Sequence, residues 1–222
     1  MSAPAKLSAL RRLLADRFPS VPGTGAEPLA PPARGLPTGI PAIDDTAGGL
    51  PLSAVTELVC AAPSCGSQLL IGALLSRTRT TRTRVALVDS ADSFDPESFP
   101  PDHLAHLLWV RCRQTAEALQ AVDLLARDAN LGLVVLDLRL APEADLRRTP
   151  ATQWYRLQRA VEPADLALVV VTPRAAVPSA QLRLVLETSQ PTAAWDEDRA
   201  ALTRQLAPAR QRQRRQLLTG TG

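Results

Sequence analysis

The hydrophobic pattern of the chain changes period along its length. Leu7, Leu10, Leu14 and Phe18 are spaced by three and four, with Lys6, Arg11, Arg12, Asp16 and Arg17 around them. That spacing keeps apolar groups on one helical face and predicts an amphipathic helix over residues 4–18. A helix of this length is marginal alone, so its stripe requires cover from its own domain or from a partner. Pro19, Pro22, Gly23, Gly25, Pro28, Pro31, Pro32, Gly35 and Pro37 follow. Proline removes backbone donors and glycine makes ordering costly, so residues 19–37 read as an extended tether.

Beyond the tether the apolar positions gather into short runs. Gly48-Gly49-Leu50-Pro51 reads as a turn that leads into the strand Val55-Thr56-Glu57-Leu58-Val59. Val85-Ala86-Leu87-Val88-Asp89, Leu107-Leu108-Trp109-Val110, Leu133-Val134-Val135-Leu136-Asp137 and the run 166–172 fit strands buried on both faces. Helical stripes separate them: residues 69–75, then Ala116, Leu119, Val122, Leu125 and Ala126 behind the N-cap candidate Thr115, then Trp154, Leu157 and Val161. Leu182-Arg183-Leu184-Val185-Leu186-Glu187 alternates and reads as a half-exposed edge strand. Ala201, Leu202, Gln205 and Leu206 suggest a helix that Pro208 interrupts, and residues 210–218 read as a basic helix or as disorder. The alternation predicts an α/β fold, a mostly parallel sheet flanked by helices, over residues 38–190. Residues 191–222 form a basic C-terminal tail, and no internal repeat is visible.

Composition narrows this picture. At 222 residues with 45% apolar content, the chain holds one sizeable core with tails. Aromatics make up only 3%, so that core is built from Leu, Val, Ala and Ile. Lys6 is the only lysine. The net charge of +3 conceals an asymmetry: from Arg199 onward there are six arginines and no acid, leaving a mildly acidic body. Cys60, Cys65 and Cys112 lack zinc-like spacing and read as reduced, buried thiols. No apolar run is long enough to span a membrane and no signal-like core opens the chain, so a cytoplasmic protein is expected.

The candidate chemistry centres on residues 60–70, between an apolar strand and an apolar helix. A phosphate-binding loop there would follow G-x-x-x-x-G-K-[ST]. In that register Ala61 replaces the first glycine, Gly66 is kept, Ser67 stands for the lysine and Gln68 for the Mg²⁺-binding hydroxyl. Two missing charge-assisted contacts, at about 1.5–3 kcal/mol each, weaken triphosphate binding by roughly two to four powers of ten. Asp89 and Asp137 read either as a carboxylate pair or as acids placed at the carboxyl ends of parallel strands by the fold itself. His103 and His106 read as a surface or turn pair, and Ser64 and Ser67 lack a visible base. Arg210, Arg212, Arg214 and Arg215, interleaved with Gln211, Gln213 and Gln216, suit contacts to phosphates, docking on an acidic protein surface, or simple solvation. With so few aromatics there is little platform for stacking single-stranded bases.

The order of these parts resembles a known family. Thr38-Gly39, Ile43-Asp44, Gly48-Gly49-Leu50-Pro51 and Val55-Thr56-Glu57 resemble the segment leading into the phosphate loop of RecA recombinases. Val85-Ala86-Leu87-Val88-Asp89 with Phe94-Asp95-Pro96, and then residues 107–137, resemble the strands and helix that follow, so the likeness covers roughly residues 36–187. The departures are Ser67 and Gln68, Ala91 beside Asp92 where the water-activating acid would fall, and Thr172-Pro173 at the polar sensor. The connection 172–181 is too short for a long mobile DNA-binding loop. A reduced chain of this kind is similar to the ImuA family, RecA-like without a working ATPase. The resemblance implies a non-catalytic adaptor in DNA-damage-induced translesion synthesis. It would have no cofactor, a vestigial loop at Ala61, Gly66, Ser67 and Gln68, and a vestigial Walker B acid, Asp137. The implied partners are RecA, an ImuB-like inactive Y-family polymerase, an error-prone C-family polymerase and DNA contacted without sequence preference, with no membrane. Contact candidates are Leu7, Leu10, Leu14 and Phe18 on the helix and Arg204, Arg210, Arg212, Arg214 and Arg215 in the tail. Two alternatives stand beside it: a cell-division inhibitor of the related SulA kind, and a weak RecA-type NTPase with an atypical loop. The last requires a basic residue that reaches the loop, and Arg77, Arg79 and Arg82 lie too far downstream.

Overall fold

Runs of branched and aliphatic residues with no polar interruption can be covered only between two helical layers, and the structure places them there. The computed structural model describes residues 35–213. The predicted helix of residues 4–18, most of the tether, Arg214 and Arg215 lie outside them.

A seven-stranded sheet forms the centre. Its strands are β3 (Ala54–Cys60), β4 (Val85–Asp89), β5 (Leu107–Arg111), β6 (Leu133–Asp137), β7 (Ala167–Thr172), β8 (Leu182–Leu186) and β9 (Ala209–Gln213). They lie in the order β5-β4-β6-β7-β3-β8-β9. All neighbouring pairs are parallel except β8 with β9. A small antiparallel pair, β1 (Gly35–Leu36) and β2 (Leu50–Pro51), flanks the short helix α1 (Pro41–Ala47). Asp44 at its first turn accepts from the backbone N–H of Thr38 and Gly39 at 2.9 Å each, which ties this entry segment together.

Helices cover both faces. Residues from α1 and α2 (Ser67–Thr80), including Ile43, Leu70, Ile71 and Leu74, pack on one face together with Ile40 at the start of α1. Residues from α4 (Thr115–Leu125) and α6 (Ala151–Val161), including Ala118, Val122, Trp154 and Leu157, pack on the other. The short helices α3 (Pro101–Leu104), α5 (Glu143–Arg148) and α7 (Arg199–Gln205) complete the layers. No helix among the described residues is long and apolar enough to cross a membrane.

Two readings of the sequence are corrected. Residues 182–186 are not a sheet edge, because β9 pairs along their outer side. The alternation at Arg183 comes from a different cause than exposure. The Arg183 guanidinium turns inward and meets the fully buried Glu57 at 2.6 Å. Residues 210–213, part of the run 210–218 read as basic helix or disorder, instead belong to that outer strand. A strand polar at four successive positions, two of them arginine, suits an outer edge, where charge discourages further pairing.

Glu57 has no exposure and needs internal partners. Its Oε1 accepts from the Thr172 hydroxyl and from the backbone N–H of Ala176 and Val177, and its Oε2 from Arg183. Removing one member of a buried pair leaves an uncompensated charge. Arg183→Ala is therefore expected to lower unfolding free energy by about 3–5 kcal/mol. Urea denaturation measures this, and adding Glu57→Gln should recover part of the loss.

Candidate functional site

The loop between β3 and α2 closes in a way that its sequence does not suggest. Ser64 (φ 51°) and Gly66 (φ 88°) both adopt left-handed conformations, and they turn the chain sharply into α2. Gly66 is needed twice over. It supplies the positive φ, and a Cβ there would lie 2.6 Å from Leu206 Cδ2. Leu206, just past α7, is buried against the loop. The same C-terminal segment is tied on by backbone bonds, Gln190 N–H to Ser64 O and Ala61 N–H to Leu186 O, both 3.0 Å. Arg199 adds a hydrogen bond to Ser98 O at 2.8 Å and stacks 4.6 Å over the Phe99 ring.

The residue that dominates the site was not among the sequence candidates. Arg139 stands two positions after Asp137 and sends its guanidinium over the start of α2. Its NH1 donates to Ser67 Oγ at 3.3 Å and its NH2 to Ser93 Oγ at 3.1 Å. With the Gln68 carboxamide turned so that its oxygen faces this group, that oxygen accepts from both terminal nitrogens at 2.5 and 2.6 Å. Arg139 Nε faces Asp137 Oδ2 at 3.2 Å. The angle there is outside hydrogen-bond geometry, so the contact is an ion pair. The Arg139 backbone N–H also donates to Asp137 Oδ1 at 3.1 Å. One guanidinium thus joins Ser67, Gln68 and the acid at the end of β6. Arg77, Arg79 and Arg82 do not reach the loop, but Arg139 does.

Asp137 is 2% exposed, and burial pushes its carboxyl above the usual range. Arg139 opposes this through its charge and its N–H, while Asp89 adds to it. Asp89 and Asp137 are register partners on β4 and β6. Their side chains have different tasks. Asp89 accepts from the backbone N–H of Ala91, Ser93 and Phe94 at 2.7–3.2 Å and so shapes the loop after β4.

The other sequence candidates are dispersed. Asp92 is exposed and paired with Arg111 at 2.5 Å. His106 Nε2 is 2.8 Å from Thr78 Oγ1, and burial lowers its basicity. Thr172 is committed to Glu57. Arg204 is exposed on α7, and Arg210 on β9 donates to Thr46 O at 3.1 Å. Arg212 pairs with Arg183 through the β8–β9 ladder. Leu7, Leu10, Leu14, Phe18, Arg214 and Arg215 lie outside the described residues. No signal in the sequence marks Arg139, because its importance comes from reach across the sheet end.

With this geometry in place, the chain can be set beside known proteins. No family model matches the chain, and no curated protein matches it. Among solved structures the chain is similar to the crystal structure of the RadB recombinase, with a TM-score of 0.54 and 17% identity over 68% of this chain and 82% of that one. At that identity the likeness shows the fold. The molecule is an α/β protein of RecA-like fold, with its seven-stranded sheet between helical layers.

A raised carboxyl pKa favours the protonated form in the folded state, so this contribution is greatest below the unfolded value and is lost as pH rises through the folded one. Arg139→Ala removes the counter-charge of Asp137 and raises that pKa further. The variant is expected to lose about 3–5 kcal/mol near neutral pH. The gap from the parent should narrow toward about pH 4, read from thermal or urea unfolding across the range.

Proposed function

We propose that this chain is a non-catalytic RecA-like adaptor of DNA-damage-induced translesion synthesis, an SOS mutasome component. On this reading it binds RecA, an inactive Y-family-type polymerase and an error-prone C-family polymerase, with DNA touched by its basic end. The observation that carries the non-catalytic part is Arg139 lying across Ser67, Gln68 and Asp137. Nucleotide binding at a phosphate loop uses a free cradle of N–H groups, a lysine for the β/γ charge and a hydroxyl for Mg²⁺. Here the lysine is absent and the acid is already neutralised from within. Leu206 packs on the loop where entry would occur. The partner assignments rest on the resemblance of residues 36–187 to the ImuA family.

One observation favours a second reading. A weak NTPase with an atypical loop requires a cation near the phosphate site, and Arg139 is such a cation. Against it stands the commitment of that guanidinium to Asp137 and Gln68. Triphosphate would have to break a buried ion pair that costs several kcal/mol to leave half-made.

Titration with labelled ATP to about millimolar concentration should show neither saturable binding nor turnover. Hydrolysis that is abolished by Asp137→Asn would establish the NTPase instead. The adaptor role predicts co-purification with the two polymerases and RecA, weakened by deleting residues 199–222 and by added salt. Direct capture of the tubulin-like division ring protein, without the polymerases, would establish the SulA-like alternative.

A further inference from the structure

Arg77, Arg79 and Arg82 do not serve the loop, and the fold gathers them with Arg84 elsewhere. The run Ser76-Arg77-Thr78-Arg79-Thr80-Thr81-Arg82-Thr83-Arg84 ends α2 and forms the turn into β4. It holds four arginines, no acid and no apolar residue. At 1.5 Å per residue, α2 sets this turn about 20 Å from Ser67, where β4 and β6 begin.

Backbone groups fix the turn without help from the arginine side chains. The N–H groups of Thr81, Thr83 and Arg82 donate to the carbonyls of Arg77, Thr78 and Arg79 at 2.9–3.3 Å. Three of the four carbonyls that a helix leaves open at its end are therefore already met. The hydroxyls of Thr78 and Thr80 donate back to Leu74 O and Ser76 O. Arg82 adopts a left-handed conformation (φ 56°), where glycine is the usual residue. An arginine there carries a backbone cost that the turn itself does not require.

All four arginines are exposed. Among the described residues, the guanidinium groups of Arg77 and Arg82 have neither a hydrogen bond nor an ion pair. Arg84 reaches only the neutral Asn130 Oδ1, at 3.4 Å. Arg79 is paired with Asp102 at 2.7 Å. Asn130 also bonds to Asp128, through its N–H and its carboxamide at 2.9 Å, so this cluster sets two acids against four cations. The end of a helix attracts cations by its dipole, which accounts for Arg77 and Arg79. It does not account for Arg82 and Arg84, which lie beyond the helix.

We propose that this surface binds the backbone phosphates of duplex DNA without sequence preference. Guanidinium groups match phosphate oxygens, and several on one turn suit a continuously charged backbone. A protein interface needs aromatic or apolar anchors at its centre, and a single strand needs groups on which bases stack. The run has neither. The surface is separate from the C-terminal residues to which the adaptor reading assigns DNA, and the inference does not depend on that reading.

The test uses the full chain and short labelled duplexes of two unrelated sequences. Fluorescence anisotropy over a series of salt concentrations should give equal affinities for both. Arg77→Gln combined with Arg82→Gln should weaken binding roughly tenfold or more at about 0.1 M salt, and the slope of log K against log salt should become shallower by about two. Arg82→Gly should melt no lower than the parent, since glycine accepts that φ, and should still bind more weakly. Arg214→Gln combined with Arg215→Gln reports on the C-terminal end separately. The proposal is overturned if the parent leaves both duplexes free or favours one sequence. It is equally overturned if the Arg77 and Arg82 double variant keeps the parent's slope, including the case in which only the tail variant loses binding. Binding to phosphatidylserine vesicles without binding to duplex also overturns it. Loss in the double variant with the tail variant unchanged upholds it and removes DNA from the tail.

Discussion

A carboxylate buried within a parallel sheet must find its counter-charge inside the protein. The architecture follows from how this chain meets that requirement twice. Glu57 and Asp137 are almost fully buried, and each faces an arginine supplied from elsewhere. Arg183 comes from the neighbouring strand and Arg139 from the turn after β6. Such pairs gain little over well-packed apolar groups, but breaking one is costly, so they fix which segments lie together.

The Arg139 pair has the larger consequence for the site. A RecA-like fold gathers its strand ends at one edge, where a phosphate loop normally leaves a charged, open cradle. Here the side chains at that position are met from within the chain. The guanidinium meets Asp137, Ser67 and Gln68. Leu206 packs against Gly66. The result is a polar but closed joint between β3 and α2.

The same segment that brings Leu206 to the loop continues into β9, so the cover over the site and the cap on the sheet are one piece of chain. Part of its arginine content is structural. Arg199 bonds to Ser98 O and stacks on Phe99, and Arg210 bonds to the carbonyl of Thr46. The adaptor reading therefore places contact on the exposed face of α7, on β9 and on the ends of the chain.

The sequence by itself determined the layered α/β fold, because uninterrupted runs such as residues 133–137 and 166–172 can be buried only between helices. It also singled out the loop between β3 and α2, since Ser67 and Gln68 in place of a lysine and a hydroxyl residue are matters of residue type. It did not reveal that residues 209–213 pair as a strand, because an alternating Arg-Gln run carries no apolar signal. Nor did it show that Arg183 points inward, because alternation marks the two faces of a strand without saying what covers each. Arg139 was invisible for a related reason. A local pattern records what lies next along the chain, and Arg139 meets Ser67 only after the sheet has brought positions 72 residues apart to one end. Tertiary structure alone decided that contact, since only a formed sheet buries Asp137 deeply enough to require a cation there.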